Sequence, residues 1–370
     1  MKILHLSGEN EDVGGVLSVI RNLQSASKPW GWRHTVCVDQ RYVERRQPAL
    51  TYWRSRHVRS DLPNHAALLL QAIRTCFELK RFLAREAFDI LHAHSRGTFL
   101  VGVAAALWLK RTVLFTNHGY SQRVRMYRWG ARVRRFHTAV LTPNMARHYG
   151  LREAPPKINI ISECCSDQFF REPLVARRDA ANANAPVRLV GVGNIMRWKN
   201  WHLLAEALLK LGPKERQRLT FSLWGPNPCD AGSQSYAAEL RELVHRSGLE
   251  EVFLFRGETL SVTDCLQEAD WFVLPSTNEP CSVALIEALA LGLPALVSRS
   301  GGNVDIVTSG ETGLFFEPGN SSDLAAKLQT AAQGNAAVLP PDRIRNSVRS
   351  RSASVVAAHY KSVYERLLAS

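Results

Sequence analysis

A chain of 370 residues is longer than one hydrophobic core usually serves, so two domains are expected. Hydrophobic residues at 45% and charged residues at 22% exclude a disordered or fibrous chain, and seven cysteines without a C-x-x-C spacing exclude a disulfide framework or a zinc ribbon. The net charge of +14 is lopsided: residues 1–170 hold 26 basic against 12 acidic side chains and residues 171–370 hold 21 against 21, which assigns an anionic partner to the first half.

The opening run Lys2–Ser7 is too short for a signal peptide, lacks a small-residue cleavage site, and reads as a buried first strand. The loop Gly8–Gly15 ends in Gly14-Gly15-Val16 ahead of a helix over Val16–Ala26. Glycines there let backbone N–H groups approach a phosphate or sugar, helped by the positive end of the helix; the spacing is not the G-x-G-x-x-G of a dinucleotide fold. A strand over His34–Val38 leads into a basic cluster, Arg41–Arg59 with Tyr52 and Trp53, expected as a long loop or short helices. A helix over Asn64–Arg85 and strands Ile90–His94, Val113–Thr116 and Thr138–Thr142 follow. The apolar stretch Phe99–Leu109 falls well short of the ~20 residues of a membrane span.

In Arg123–Phe136, Met126, Trp129, Val133 and Phe136 repeat at helical spacing beside Arg125, Arg128, Arg132 and Arg135. That pattern predicts a basic amphipathic helix, either an acceptor- or membrane-binding face or a core-packed helix with a solvated arginine face. Adjacent Cys164 and Cys165 are expected as buried small residues. The polar stretch Arg171–Ala185, with Pro173, Arg177, Arg178, Asn182 and Asn184, is the expected linker.

The alternation then restarts, with strands Val187–Val192, Thr220–Trp224, Val252–Arg256, Trp271–Pro275, Ala295–Val297 and Gly313–Phe316. Helices between them are expected at Trp201–Leu211, Tyr236–Ser247, Ser261–Glu268, Ser282–Leu291 and Ser322–Gln333, and a last one at about Ser352–Leu368. The pattern is α/β: two Rossmann-like domains, residues 1–170 and 186–351, joined by 171–185 and followed by a terminal helix over 352–370. The active site of such a pair is expected in a cleft facing the carboxyl ends of both sheets.

Strand Val187–Val192 runs into Gly193-Asn194-Ile195-Met196-Arg197-Trp198-Lys199, where Arg197 and Lys199 suit a departing diphosphate as well as they suit solvent. Strand Trp271–Pro275 runs into Ser276-Thr277-Asn278-Glu279 and then a helix from Ser282 whose free N–H groups can receive phosphate oxygens. Glu287 shares a helix face with Val283 at i, i+4 spacing, which suits a ribose with adjacent hydroxyls. His94 reads as a structural histidine, and His118, followed by Gly119 at a strand end, as a site residue.

These residues resemble the retaining GT-B glycosyltransferases of glycosyltransferase family four. The resemblance rests on Glu279 and Glu287 eight residues apart, Gly292-Leu293-Pro294, Gly301-Gly302 and Thr312-Gly313-Leu314, with weaker similarity at Gly14-Gly15-Val16, His92-Ala93-His94 and Asn117-His118-Gly119. It implies the GT-B fold, with the terminal helix crossing back to the first domain, and retaining transfer from a nucleotide-diphosphate sugar to a glycan or lipid-linked acceptor. It further implies Glu279 on the donor sugar, Glu287 on the ribose, the Ser282 and Val283 backbone on the diphosphate, Lys199 neutralising it, Gly15 giving room beside it and His118 lining the sugar site. The nucleotide sugar is a substrate, and neither cofactor nor metal is expected: no Asp-x-Asp pair occurs, and cations with a helix N-terminus can take a metal's place. Asn194 stands where the family has Arg, Glu163-Cys164-Cys165-Ser166 where it has Asn-Gly-Val-Asp, and Asp305 where it has Glu.

A cytoplasmic protein is expected, with the basic first domain extending the expectation to an anionic surface on the inner face of the membrane. Nucleic acid is not expected as a partner, since nothing resembles a reading helix, an RNP strand or a zinc finger. A sugar-nucleotide epimerase on the same fold and a non-catalytic nucleotide-sugar or polyanion binder are the competing readings.

Overall fold

The computed structural model describes every residue except 13, 47, 48, 63, 177–184, 227–229, 260 and 370. The chain divides into two compact units, Met1–Cys164 with Ala353–Ser370, and Cys165–Ser352. Residues 177–184 of the expected linker, with Arg177, Arg178, Asn182 and Asn184, lie outside the described residues.

The first unit runs β1 (Lys2–Leu6), α1 (Gly15–Ala26), β2 (Arg33–Asp39), β3 (Thr51–Ser55), α2 (His65–Leu83), β4 (Ile90–Ala93), α3 (Arg96–Trp108), β5 (Val113–Asn117), α4 (Val124–Gly130), β6 (Phe136–Val140), α5 (Pro143–Tyr149) and β7 (Ile158–Ile160). All seven strands are parallel, in the order β3-β2-β1-β4-β5-β6-β7. Strands β4, β5 and β6 are buried along their whole length, as expected of a parallel sheet covered on both faces.

The second unit runs β8 (Val187–Val192), α6 (Trp201–Lys210), α7 (Pro213–Arg216), β9 (Leu219–Trp224), α8 (Ala231–Arg246), β10 (Phe253–Gly257), α9 (Val262–Gln267), β11 (Trp271–Leu274), α10 (Val283–Ala290), β12 (Ala295–Ser298), β13 (Gly313–Phe316), α11 (Ser321–Ala332) and α12 (Pro341–Ser347). Its six parallel strands lie in the order β10-β9-β8-β11-β12-β13. The order reverses between β8 and β11, the switch point at which open α/β sheets bind ligands. Helix α13 (Ala353–Ala369) returns to the first unit and buries Val356, Ala357, Tyr360, Val363, Tyr364 and Leu367 there, while Ala358, expected on that face, is exposed.

Three expectations are corrected. Part of the cluster Arg41–Arg59 is the edge strand β3, with Trp53 stacked flat on Phe82 of α2 at 4.4 Å. The predicted helix over Arg123–Phe136 stops at Gly130, so Arg132 and Arg135 lie outside it and Arg135 takes a positive φ of 64°. Its inward residue is Tyr127; Trp129 is 49% exposed. Gly130 packs closely on Phe99 of α3, where a Cβ would lie 2.4 Å from the ring, and residues 131–135 form turns before β6 begins at Phe136. Helix α3 itself is apolar on nearly every side, which erases the period that announces a helix. Among the described residues no helix is long and apolar enough to cross a membrane.

Candidate functional site

In the second unit the loop after β11 is held from three sides. Ser298 Oγ and Ser300 Oγ donate to the carbonyl of Ser276 at 2.5 and 3.2 Å. The Thr277 N–H donates to Trp198 O at 3.0 Å, tying this loop to the one after β8. Gly302 N–H donates to Glu279 O at 2.7 Å, and a Cβ on Gly301, whose φ is 56°, would stand 2.3 Å from that same oxygen. The Gly-Gly pair is therefore a backbone clamp on Glu279, open only to a residue without a side chain.

Glu279 so placed is 4% exposed and receives a hydrogen bond from Lys199 Nζ at 2.8 Å. Lys199 Nζ also lies 4.4 Å from the centre of the Trp198 ring. A buried ion pair repays its desolvation only when geometry and partners are good, and this one sits at the switch point of the sheet. Helix α10 begins beside it: Ser282 Oγ caps Leu285 N–H at 3.2 Å, and Val283 and Glu287 are half-buried on one face of the helix, as their spacing predicts. Glu287 contributes, after burial itself, to holding the Cys165 thiol well above its ordinary value.

Arg197 and Lys199 do not share a target. The Arg197 guanidinium pairs with Glu239 of α8 at 2.6 Å and lies over the Tyr236 ring, at the rim of a cavity of about 790 Å³ lined also by Trp198, His202 and Thr277. Asn194 is half-buried at the end of β8, its carbonyl accepting from Trp201 Nε1 at 3.1 Å. Asp305 likewise offers its carbonyl, to Arg351 at 2.8 Å.

In the first unit, Gly15 opens α1 behind Gly14, whose φ of 94° suits glycine, and no side chain caps the helix. His118, just past β5, is held through both ring nitrogens: Nδ1 to Glu163 Oε1 at 2.5 Å and Nε2 to His94 Nδ1 at 3.0 Å. Glu9, in the loop after β1, is pushed up to about 7 by burial, with Ser60 and His118 opposing the shift. Arg125, Arg128, Arg132 and Arg135 are exposed, and Arg128 donates from Nε to Tyr149 O at 2.7 Å. Cys164 and Cys165 are both buried, as expected.

In the sequence Glu163 stands out only as a departure from the family pattern, and its pairing with His118, like those of Trp198 and Glu239 with Lys199 and Arg197, belongs to the folded chain. Glu163 and Glu239 are 45 and 42 residues distant from His118 and Arg197, and no local spacing announces them, whereas Trp198 is the immediate neighbour of Lys199. Chemically, the second unit offers a cation, a carboxylate and a helix N-terminus at one strand end, a set suited to an anionic, hydroxyl-rich ligand.

Two family profiles match the chain: Glycosyltransferase Family 4 over residues 13–160 and Glycosyl transferases group 1 over residues 176–349. The chain is 26% identical over 299 residues to 2-deoxystreptamine N-acetyl-D-glucosaminyltransferase of Niallia circulans, covering 74% of this chain and 72% of that one. Among solved structures it is similar to sucrose-phosphate synthase of Thermosynechococcus elongatus, with TM-score 0.83 at 19% identity over 100% of this chain and 99% of that one. It is also similar to HepE of Anabaena in complex with UDP, with TM-score 0.75 at 17% identity over 99% and 100%. With one profile lying in each of its two Rossmann-like units, the chain belongs to the family-4-type glycosyltransferases of the GT-B fold and is an enzyme that transfers sugars.

Proposed function

We propose that the chain is a retaining, metal-independent transferase that moves a sugar from a nucleotide-diphosphate sugar to a glycan or lipid-linked acceptor, in cell-surface polysaccharide or glycolipid assembly. The observation that carries this reading is the buried Lys199–Glu279 pair beside the start of α10. Lys199 and the N–H groups at Ser282 and Val283 take the diphosphate, Glu279 the sugar hydroxyls, and Glu287 the ribose. Gly15 and His118 are the first unit's candidates for the phosphate and sugar roles that the family resemblance implies. In front-face transfer the acceptor oxygen bonds to C1 on the side from which the phosphate oxygen departs, and that phosphate oxygen takes the acceptor's proton. Charge builds on the leaving diphosphate, where Lys199 and the helix end stabilise it without a metal or a cofactor. Arg197, drawn to Glu239, leaves Lys199 as the principal cation and Asn194 as a neutral contact.

The test is a thermal-shift screen with uridine, guanosine and adenosine diphosphates, followed by nucleotide release from the matching sugars with and without glycan acceptors. One diphosphate should stabilise the chain and its sugar should turn over with acceptor. A chain that no diphosphate shifts, or that binds nucleic acid instead at moderate salt, is not this enzyme. Acceptor-independent interconversion of the donor would point to an epimerase.

We also place the protein in the cytoplasm, with its basic unit against an anionic inner membrane surface. The exposed apolar residues suited to such contact are Leu69, Leu70 and Phe77 on α2 and Leu107 and Trp108 on α3, with exposed Arg74, Lys80 and Arg81 on α2 beside them. In sedimentation with anionic vesicles, Phe77→Glu with Trp108→Glu should release most of the bound protein. Neutralising Arg125, Arg128, Arg132 and Arg135 should release less, and unchanged binding in both variants would reject the membrane placement.

A further inference from the structure

A row of hydrogen-bonded imidazoles crosses the first unit. Ser27 Oγ meets His34 Nε2 at 2.8 Å, His34 Nδ1 meets His5 Nε2 at 2.9 Å, and His5 Nδ1 meets His94 Nε2 at 2.8 Å. His94 Nδ1 meets His118 Nε2 at 3.0 Å, and His118 Nδ1 meets Glu163 Oε1 at 2.5 Å. The sheet explains the alignment: His5 pairs with Val36 of β2 and with His92 of β4, and the two-residue period of a strand sets His34 and His94 on the same face.

Burial holds His5 and His94 well below the ordinary imidazole value and His34 down to about 4, so these rings are neutral and each carries one N–H. A neutral imidazole donates from one nitrogen and accepts at the other, so one end of the row dictates every member. A carboxylate can only accept. With Glu163 ionised and His118 neutral, Nδ1–H on His118 is followed by Nδ1–H on His94, His5 and His34 in turn, and the Ser27 hydroxyl donates into His34 Nε2. At that far end Ser27 has a second acceptor, Gln24 O at 3.3 Å, so it can serve either polarity and imposes neither.

The ligand atoms of His5, His92 and His94 lie within 4.8 Å of one another, which raises a metal site as the rival account. All six of their ring nitrogens already have hydrogen-bond partners, His92 through Tyr364 OH and Thr116 Oγ1, both at 2.7 Å. No lone pairs are left to converge on an ion.

We propose that Ser27, His34, His5 and His94 form a tautomer relay that positions His118 and Glu163, with the Glu163 carboxylate holding all four imidazoles as Nδ1–H. His118 Nε2 is then spent on His94, so His118 acts as a fixed positioning residue and not as a base toward the acceptor. The aligned N–H dipoles all point their positive ends at Glu163 and reinforce one another along the row. The other titratable groups around the row are Glu9 beside His118, the N-terminal amine beside His34, His92 within β4, and Tyr360 and Tyr364 from α13. Only the statement about the acceptor rests on the proposed transfer reaction; the relay is a property of the folded unit.

Long-range proton–nitrogen NMR correlations on the full chain at neutral pH test it without turnover, so it stands or falls separately from the transfer reaction. His5, His34, His94 and His118 should each show a protonated Nδ1 and a bare Nε2. Glu163→Gln, whose amide can donate as well as accept, should abolish the single-tautomer signature at His5 and His34, several hydrogen bonds away. Ser27→Ala, at the other end, should leave all four tautomers as they were. An Nε2–H signal at His5 or His34 in the unaltered chain overturns the relay, as does a Glu163→Gln spectrum unchanged at those two residues or a Ser27→Ala spectrum that reverses them.

Discussion

Lys199 and Glu279 are two halves of one feature, because each would be a buried charge without the other. Glu279→Gln should lower kcat by more than ~100-fold. It should also cost about 3 kcal/mol of stability by leaving the ammonium without its carboxylate. Steady-state kinetics and denaturant unfolding check the two effects, and wild-type turnover would remove Glu279 from the sugar site. Glu9 behaves in the opposite sense. Burial raises its carboxyl from 4.5 to about 7, so the stability linked to its protonation is full below about pH 4.5 and is lost as pH rises through about 7. Glu9→Gln should flatten that fall and make the variant the more stable protein above pH 7, as melting at pH 5 and pH 8 would show. Residue identities at the site were readable because strand, loop, Glu and helix follow one another within a short segment. Their partners were not: nothing in Met196–Asn200 says that Arg197 turns to Glu239 while Lys199 turns to Glu279.

Among the elements, the loop after β11 depends on the short turn after β12. Gly301→Ala would force a Cβ to within 2.3 Å of Glu279 O at a φ of 56°, and a main-chain oxygen cannot rotate away as a side chain can. The substitution should cost roughly 1–3 kcal/mol and displace Glu279. A lower melting temperature together with a raised KM for the donor is the expected pair of readings, and a variant like wild type in both would mean that the clamp is slack. Most strands and helices were visible in the sequence, since strand-length apolar runs and helical periods are local. Short elements such as β7, α5, α7 and α12 were not read, and three other exceptions have physical causes. Edge strand β3 carries Arg54 and half-exposed aromatics instead of a continuous apolar run, α3 is apolar on nearly every face, and α4 gives way after Gly130 to turns in which Arg135 takes a positive φ.

As a whole molecule, the chain makes one unit from a continuous segment and the other from two segments far apart in sequence. Residues 165–352 expressed alone should unfold cooperatively and retain binding of a nucleoside diphosphate. Residues 1–164 alone lack α13, whose Tyr364 hydroxyl bonds His92 and whose Tyr360 hydroxyl bonds Thr116, and should be poorly soluble until residues 353–370 are fused to them. A stable 1–164 fragment with a cooperative transition would contradict that dependence.

Local period and motifs of fixed spacing suffice for the two-sheet architecture, the family and the segment that carries Glu279 and Glu287. Tertiary packing alone sets which charges pair, why Gly301 must be glycine, and that His5 on β1, His34 on β2 and His94 just past β4 join His118 and Glu163 in one row. Parallel strands meet through crossovers tens of residues long, so neighbours across such a sheet leave no mark in the order of the chain.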